Sequence, residues 1–299
     1  MKILITGANG LLGQKLISLL QQKSGVEIIA TGRGENRILG YPDSEYHKLD
    51  VENEKEVLDC FKKTNPEVVI HTAAMTHVDD CELNQKDCYK ANVIAVQNVV
   101  NGCSACGTHL VHLSTDFIFD GSHGPLTEDA EANPINYYGE SKLEAEQIIR
   151  TSDISWSIAR TVLVYGIVKG LKRSNIILWV KDSLENNKPL NIVDDQWRTP
   201  TLAEDLAQGC YLLAKDRVQG IFNISGEELL TPYDMSLRVT EFFSLDKSLI
   251  SRANSTTFTQ PAKRPPKTGF IIDKAKEHLE YQPHSFDEGI ALIASQINQ

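Results

Sequence analysis

Tyr138 and Lys142 stand four residues apart in the run Tyr138-Gly139-Glu140-Ser141-Lys142, and Leu143, Ala145 and Ile149 continue it at helical spacing. One turn of helix puts the phenol and the ammonium on the same face. A free phenol ionises near pH 10, and an adjacent cation favours the ionised form. Lowering that value by about three units takes roughly 4 kcal/mol of differential interaction, which makes Tyr138 a useful general acid near neutrality. Tyr211 and Lys215 repeat the spacing, but they fall in a late amphipathic segment with no chemical partner nearby. Tyr138 is different because Ser114-Thr115-Asp116 precedes it at the end of a predicted strand, where the Thr115 hydroxyl can meet a substrate oxygen. Tyr137 has no lysine four residues on and reads as a packing or substrate contact.

A second constellation opens the chain. Ile3-Leu4-Ile5-Thr6 runs into Gly7-Ala8-Asn9-Gly10-Leu11-Leu12-Gly13 and then into an amphipathic segment. A glycine-rich turn between a buried strand and a helix N-terminus lets backbone approach a pyrophosphate closely, while free N–H groups and the helix dipole stabilise its charge. Gly7, Asn9, Gly10, Leu11, Leu12 and Gly13 are the expected cradle, spaced GxxGxxG rather than GxGxxG. The second strand ends in Ala30-Thr31-Gly32-Arg33, without the carboxylate that would accept from a ribose 2′-hydroxyl. A guanidinium there can pair with a 2′-phosphate, so NADPH is favoured over NADH. Asp50 and Val51 fall where an adenine ring would be met; the competing reading of Asp50 is an N-cap for a helix over 52–64.

These groups need a scaffold that brings distant loops to one edge. Short β-branched runs at Lys2–Thr6, Val26–Thr31, Val68–Thr72, Leu110–Ser114 and Ser157–Val164 read as buried strands. Between them lie helical patterns, such as Leu12, Leu16, Leu19 and Leu20, or Val57 with Phe61. That alternation predicts an α/β fold with a doubly wound parallel sheet, whose ligands meet the carboxyl ends of its strands. Residues 1–166 are expected to be mainly dinucleotide-binding. Residues 167–299 are expected to form a smaller substrate-binding region, with segments returning to the sheet. There the sequence predicts helices over 174–186 and 203–214, an irregular stretch over 191–201, a strand over 220–225, a helix opened by Thr231-Pro232, and a looped tail over 251–269.

Composition narrows the partners. With 299 residues, 41% of them hydrophobic, the chain can bury a large core. Forty acidic against thirty basic residues give a net charge of −10, and the basic ones are scattered, so a nucleic acid is not the expected partner. No stretch reaches the roughly 18 apolar residues of a membrane span, and the start carries no leader pattern; a cytoplasmic protein is expected. The six cysteines include Cys103-x-x-Cys106. One helix over 85–105 would hold Cys88 and Cys103 about 22 Å apart, too far to share a zinc. Reduced thiols and no metal are expected.

Taken together, the glycine loop, Thr115, Tyr138 and Lys142 resemble the extended short-chain dehydrogenase/reductases, which have a Rossmann fold. Within that group several stretches look like the dTDP-4-dehydrorhamnose reductases: His71-Thr72-Ala73-Ala74-Met75-Thr76-His77-Val78-Asp79, Ser114-Thr115-Asp116-Phe117, Arg160-Thr161-Val162-Leu163-Val164-Tyr165-Gly166, Trp197-Arg198-Thr199-Pro200 and Arg264-Pro265. The resemblance implies reduction of the 4-keto group of a dTDP-linked 6-deoxyhexose. Hydride would pass from the nicotinamide to C4, Tyr138 would protonate the oxygen, Lys142 would hold the nicotinamide ribose, and Thr115 would hydrogen-bond the ketone. Ala73, Ala74 and Met75 would line the cofactor, and Thr76, Val78, Asp79, Asp116 and Leu163 the nucleotide sugar. Trp197-Arg198-Thr199 departs from a commonly glycine-containing stretch of the family, and Arg198 there can pair with a substrate diphosphate. Asn92 would anchor a water or backbone group, or be an ordinary helix asparagine. Phe117 and Leu163 depart from the family's usual tyrosine and tryptophan and lose a polar edge.

Two alternatives accompany this reading. An epimerase uses the same Tyr and Lys but keeps its cofactor oxidised and tightly held. The regulatory subunit of methionine adenosyltransferase also resembles the chain and would act through a partner surface without turnover. The expected ligand is a small nucleotide sugar, and a homodimer is compatible with the sequence.

Overall fold

The computed structural model describes residues 1–168 and 175–297. Strand β1 (Lys2–Thr6) leads through the glycine loop to helix α1 (Leu11–Leu20), then β2 (Glu27–Gly32), β3 (Tyr46–Lys48), α2 (Glu54–Thr64) and β4 (Val68–His71). Helices α3 (Val78–Leu83) and α4 (Gln85–Tyr89) follow, and a π-helical turn at Lys90–Ile94 joins α4 to α5 (Ala95–Cys106). Next come β5 (His109–Thr115), α6 (Tyr137–Arg150) and β6 (Trp156–Thr161). The remainder comprises β7 (Val164–Tyr165), α7 (Ile176–Glu185), β8 (Leu190–Val193), β9 (Thr201–Leu202), α8 (Ala203–Asp216), β10 (Gly220–Asn223), α9 (Pro232–Phe242), β11 (Ile250–Ala253), α10 (Asp273–Leu279) and α11 (Phe286–Ile297).

Seven strands form one parallel sheet in the order β10-β6-β5-β4-β1-β2-β3, the α/β doubly wound architecture expected from the alternation of patterns. Such strands are covered on both faces, which is why they read as continuous apolar runs. One face buries Ile3, Ile5, Ile70 and Val111 beneath Leu16, Leu20, Leu206 and Leu213 of α1 and α8. The opposite face buries Leu4, Val69 and Leu110 beneath Phe61, Val99 and Ile149 of α2, α5 and α6. Each such side chain contributes roughly 1.5–3 kcal/mol. The strand order reverses between β1 and β4, so the loops after these two strands diverge around a crevice, the place where doubly wound sheets take ligands.

Several boundaries differ from the sequence pattern. The strand predicted over 157–164 ends at Thr161 because Leu163 adopts φ +39°, which breaks the ladder; Val164 and Tyr165 pair instead with Thr201 and Leu202. β3 was too short and too polar to register, and it is held as an edge strand by β2. The stretch over 191–201 is not irregular throughout, since Leu190–Val193 pairs in parallel with Ile250–Ala253, where a looped tail was expected. That pairing joins segments far apart in sequence, which no local pattern reports. The helix predicted over 174–186 spans Ile176–Glu185, capped by Asn175, and residue 174 lies outside the described residues. Thr231 caps α9 through a reciprocal capping box with Asp234, as its Thr-Pro start suggested. The helix predicted over 85–105 is continuous in space but passes through the π turn. All six cysteines are free thiols, and no helix among the described residues is long and apolar enough to cross a membrane.

Helix α6 is fixed to the sheet by a buried ion pair. Glu146 receives Nε and Nη2 of Arg160 at 3.0 and 2.7 Å, and Nη1 of Arg160 donates to the Glu128 carbonyl. Both side chains are almost wholly out of water, so removing one leaves the other charged and unpaired. Glu146→Ala is therefore expected to lower the stability of the protein by about 3–5 kcal/mol, read as a reduced midpoint in urea denaturation with little change in slope.

Candidate active site

Gly7 sits at φ +67°, a conformation that costs an L side chain energy, and a Cβ there would come within 2.8 Å of Ala73 N. The loops after β1 and β4 therefore touch. A Cβ on Gly13 would lie 2.5 Å from the Gly7 carbonyl, so only glycine lets α1 start this close to its strand. Gly10 is the N-cap of α1, and no side chain caps the helix. The first-turn N–H groups, at Leu11, Leu12 and Gly13, have no acceptor within the helix. A bare helix start beside a glycine turn fits a pyrophosphate. Asn9 does not point into this space: its amide donates to Glu35 O and Tyr46 Oη, and its carbonyl accepts from Arg37 N, tying the glycine loop to the turn after β2.

Arg33 projects from the end of β2 with its side chain 74% exposed and makes a 3.2 Å ion pair with Glu52. The main chain of Leu49 bonds to Gly32 O, which sets Asp50 and Val51 beside that strand end. Asp50 accepts from Glu52 N in a local turn. It is not the cap of the next helix; that role belongs to Asn53, which accepts from Glu56 N. Val51 O takes a hydrogen bond from Asn98.

The loop after β4 is clamped from behind. Asn92, buried on the π turn, accepts from Met75 N at 2.8 Å and donates to Met75 O at 3.0 Å and to Ser141 Oγ at 3.0 Å. Of the two roles open to Asn92, the structure gives it the anchoring of a backbone group. A π turn is a common device for aiming one side chain out of helical phase. Ala73 is half-buried, whereas Ala74 and Thr76 are exposed. Met75 and Val78 pack on a small cluster of Cys81, Cys88 and Tyr138.

Tyr138 and Lys142 lie on the inner face of α6, both buried. Asn136 caps the helix through Gly139 N, and Gly139 passes so close to Phe117 O that a Cβ would stand 2.1 Å from it. This contact seats Tyr138 against the turn after β5, where its ring meets Phe117 edge-on at 5.7 Å. Thr115 closes β5; its hydroxyl accepts from Phe117 N and donates to Asp116 Oδ1 at 3.1 Å. Lys142 Nζ donates to Leu113 O at 2.6 Å and lies 3.2 Å from His112 Nε2. Burial lowers the Lys142 ammonium to about 8, against the favourable pull of Glu146, Cys88 and Cys81.

Three of the remaining predicted residues, Asp116, Arg198 and Asp79, are held by the tail rather than left open. Asp116 receives Thr268 Oγ1 and faces Arg198 Nε at 3.6 Å; burial raises its carboxyl, opposed by Arg198. The other Arg198 nitrogens donate to Trp197 O, Pro265 O and Pro266 O, so its guanidinium is spent on protein groups and buried. Asp79 accepts a bidentate pair from Arg264 at 2.5 and 2.8 Å, which holds it below the usual carboxylate range. Leu163 is exposed at its left-handed position. The structure thus gathers Gly7, Gly13 and Ala73 in one place, and Thr115, Asp116, Tyr138 and Lys142 in another. Arg33 stands apart at the end of β2. Sequence reasoning gave no site role to His112, Arg264 or Thr268. Of these, only Arg264 carried any signal, through the Arg-Pro pair; a histidine inside a strand announces nothing about a lysine a helix away.

The model of the RmlD substrate binding domain matches residues 1–299. The chain belongs to that family. Among its relatives is methionine adenosyltransferase 2 subunit beta of Xenopus tropicalis, 32% identical over 253 residues, covering 83% of this chain and 73% of the relative. Another is the probable low-salt glycan biosynthesis reductase Agl14 of Haloferax volcanii, 27% identical over 293 residues, covering 97% of this chain and 96% of the relative. A solved dTDP-4-dehydrorhamnose reductase from Clostridium acetobutylicum superposes with a TM-score of 0.88 at 28% identity, covering all of both chains.

The buried lysine is directly observable. In a protein carrying 13C-labelled lysine, one Cε resonance is expected to titrate near pH 8, well below the ordinary lysine value of about 10.4, and to disappear in Lys142→Met. A lowest lysine midpoint near 10 would contradict the burial described above.

Proposed function

We propose that the protein is a reductase that uses a nicotinamide dinucleotide to reduce the 4-keto group of a dTDP-linked 4-dehydro-6-deoxyhexose. The observation that carries this reading is the burial of Tyr138 and Lys142 on α6 against the end of β5, with the Tyr138 ring on Phe117 two residues beyond Thr115 and Lys142 Nζ on Leu113 O, at the carboxyl end of the sheet where α1 also starts bare. The whole-length likeness to the Clostridium reductase and the relation to Agl14 support it. When bound, the dinucleotide supplies the hydride that reaches the carbonyl carbon. The glycine loop and the first turn of α1 bind the pyrophosphate; Ala73, Ala74 and Met75 line the nicotinamide side, with Asn92 keeping that backbone still. Asp50 and Val51 flank the adenine. In this division residues 1–166 carry the cofactor and residues 167–299 mainly the substrate.

As negative charge develops on the carbonyl oxygen, Tyr138 Oη donates its proton and Thr115 Oγ1 turns from Asp116 to donate a second hydrogen bond. The Lys142 ammonium favours the phenolate left behind. Thr76, Val78 and Leu163 contact the nucleotide sugar. Asp79, Asp116 and Arg198, already engaged with the tail, shape that side of the cleft. Arg33 exchanges Glu52 for a 2′-phosphate, the reason to favour NADPH over NADH.

A second reading is favoured by one observation, the 32% identity to a methionine adenosyltransferase subunit: a dinucleotide-binding regulatory subunit without turnover. The two readings separate in one assay. With NADPH and freshly prepared dTDP-4-dehydro-rhamnose, substrate-dependent loss of absorbance is expected, and Tyr138→Phe should lower kcat by about 10²-fold or more while still binding NADPH. Arg33→Ala is expected to raise the KM for NADPH about tenfold and leave that for NADH within twofold. NADPH binding with no turnover, together with a stoichiometric complex with a methionine adenosyltransferase catalytic subunit, would replace the reductase with the regulatory reading.

A further inference from the structure

Three side chains form a row across the sheet beneath the proposed site. The parallel register sets Thr6 beside His71 and His71 beside His112, so side chains from the carboxyl ends of β1 and β4 and from the middle of β5 stand in line on one face. Thr6 Oγ1 meets His71 Nδ1 at 2.7 Å, and the two imidazoles stack with centroids 5.5 Å apart and planes 21° from parallel. Lys142 reaches the end of this row from α6, placing Nζ 3.2 Å from His112 Nε2 and 2.6 Å from Leu113 O. The inner nitrogens, His71 Nε2 and His112 Nδ1, are buried with no hydrogen-bond partner.

A buried imidazole with one bare nitrogen is costlier than an aliphatic side chain of similar bulk, so packing alone does not account for a histidine at 112. Burial and the nearby Lys142 charge hold His112 well below the usual imidazole value, and His71 falls to about 3 for the same reasons. Both rings are neutral near pH 7, where Lys142 is charged. An ammonium has only hydrogens to give, so His112 Nε2 is the acceptor and its ring hydrogen sits on Nδ1. The other titratable groups facing Lys142 are Glu146, bound to Arg160, and the thiols of Cys81 and Cys88.

We propose that His112 is a positioning residue: with Leu113 O it takes two of the three Lys142 hydrogens, stabilises the ammonium and fixes the direction of the third, away from β5. A tetrahedral ammonium with two fixed acceptors from one strand cannot rotate, and the stack on His71 keeps the accepting ring from turning. What the third hydrogen serves, Tyr138 and the nicotinamide ribose, rests on the reductase reading. The placement of Lys142 does not.

The test uses the full-length protein as wild type, His112→Gln, whose amide oxygen offers an acceptor, and His112→Leu, which has none. The Lys142 midpoint followed by 13C NMR is expected to fall from about 8 to about 7 in His112→Leu and to return to near 8 in His112→Gln. In the NADPH assay, His112→Leu is expected to lose about tenfold in kcat at pH 7.5 with the sugar KM changed less than twofold, and His112→Gln to recover most of it. An unmoved midpoint in His112→Leu, or a Gln variant that behaves like Leu, overturns the proposal. Should His112→Leu fail to fold, imidazole 15N shifts in the wild type decide: a hydrogen on Nδ1 of His112 supports the assignment and one on Nε2 overturns it. Absence of turnover in every protein, with the midpoints moving as stated, removes the reductase reading and leaves the positioning of Lys142 standing.

Discussion

The close seating of α6 on the end of β5 is the constraint on which the site depends. Gly139 lies against Phe117 O with no room for a side chain, Glu146 is locked to Arg160, and Lys142 is tethered to Leu113 O. These contacts fall on successive turns of one helix face, so none can shift without disturbing the others. Apolar packing alone would tolerate a small sliding of the helix; two buried charges that each need a particular partner do not. Rigidity at this interface fixes Tyr138, on α6, relative to Thr115, at the end of β5, although the two are carried by different elements.

The rest of the molecule extends that frame outward. The reversal of strand order between β1 and β4 opens the crevice, and the glycines at 7 and 13 let backbone rather than side chains line its floor. Asn92 then holds the facing loop at Met75 and ties it to Ser141 on α6, so the two walls of the crevice are linked by one buried amide. On the other side, the tail around residues 262–268 is drawn in by polar contacts with Asp79, Asp116, Asn136 and Arg198. Asp79, Asp116 and Arg198, whose charges the sequence offers to a ligand, are in this structure partly used to hold the tail in place.

The resemblance carried by the short motifs and the family shown by the whole-chain match agree, and both fit a fold that hosts enzymes and binding subunits alike. What distinguishes these possibilities is the chemistry of a few atoms rather than the architecture. The buried Lys142, whose ammonium burial lowers to about 8, and the buried Tyr138 one turn before it on α6 are the groups whose chemistry separates them.

Much of this was written in local sequence. Strand and helix periods, the glycine loop between β1 and α1, the Thr-Pro start of α9 and the one-turn spacing of Tyr138 and Lys142 are all set by near neighbours, because backbone sterics and side-chain periodicity act over a few residues. Those features gave the doubly wound parallel sheet and the groups to watch. Only the tertiary structure decided which of them meet. The pairing of β8 with β11, the occupation of Asp79 by Arg264, the inward turn of Arg198 and the row from Thr6 through His112 to Lys142 each join residues that no local pattern links. Sheet register and strand order fix such contacts, and these follow from the global packing of hydrophobic faces rather than from any single segment.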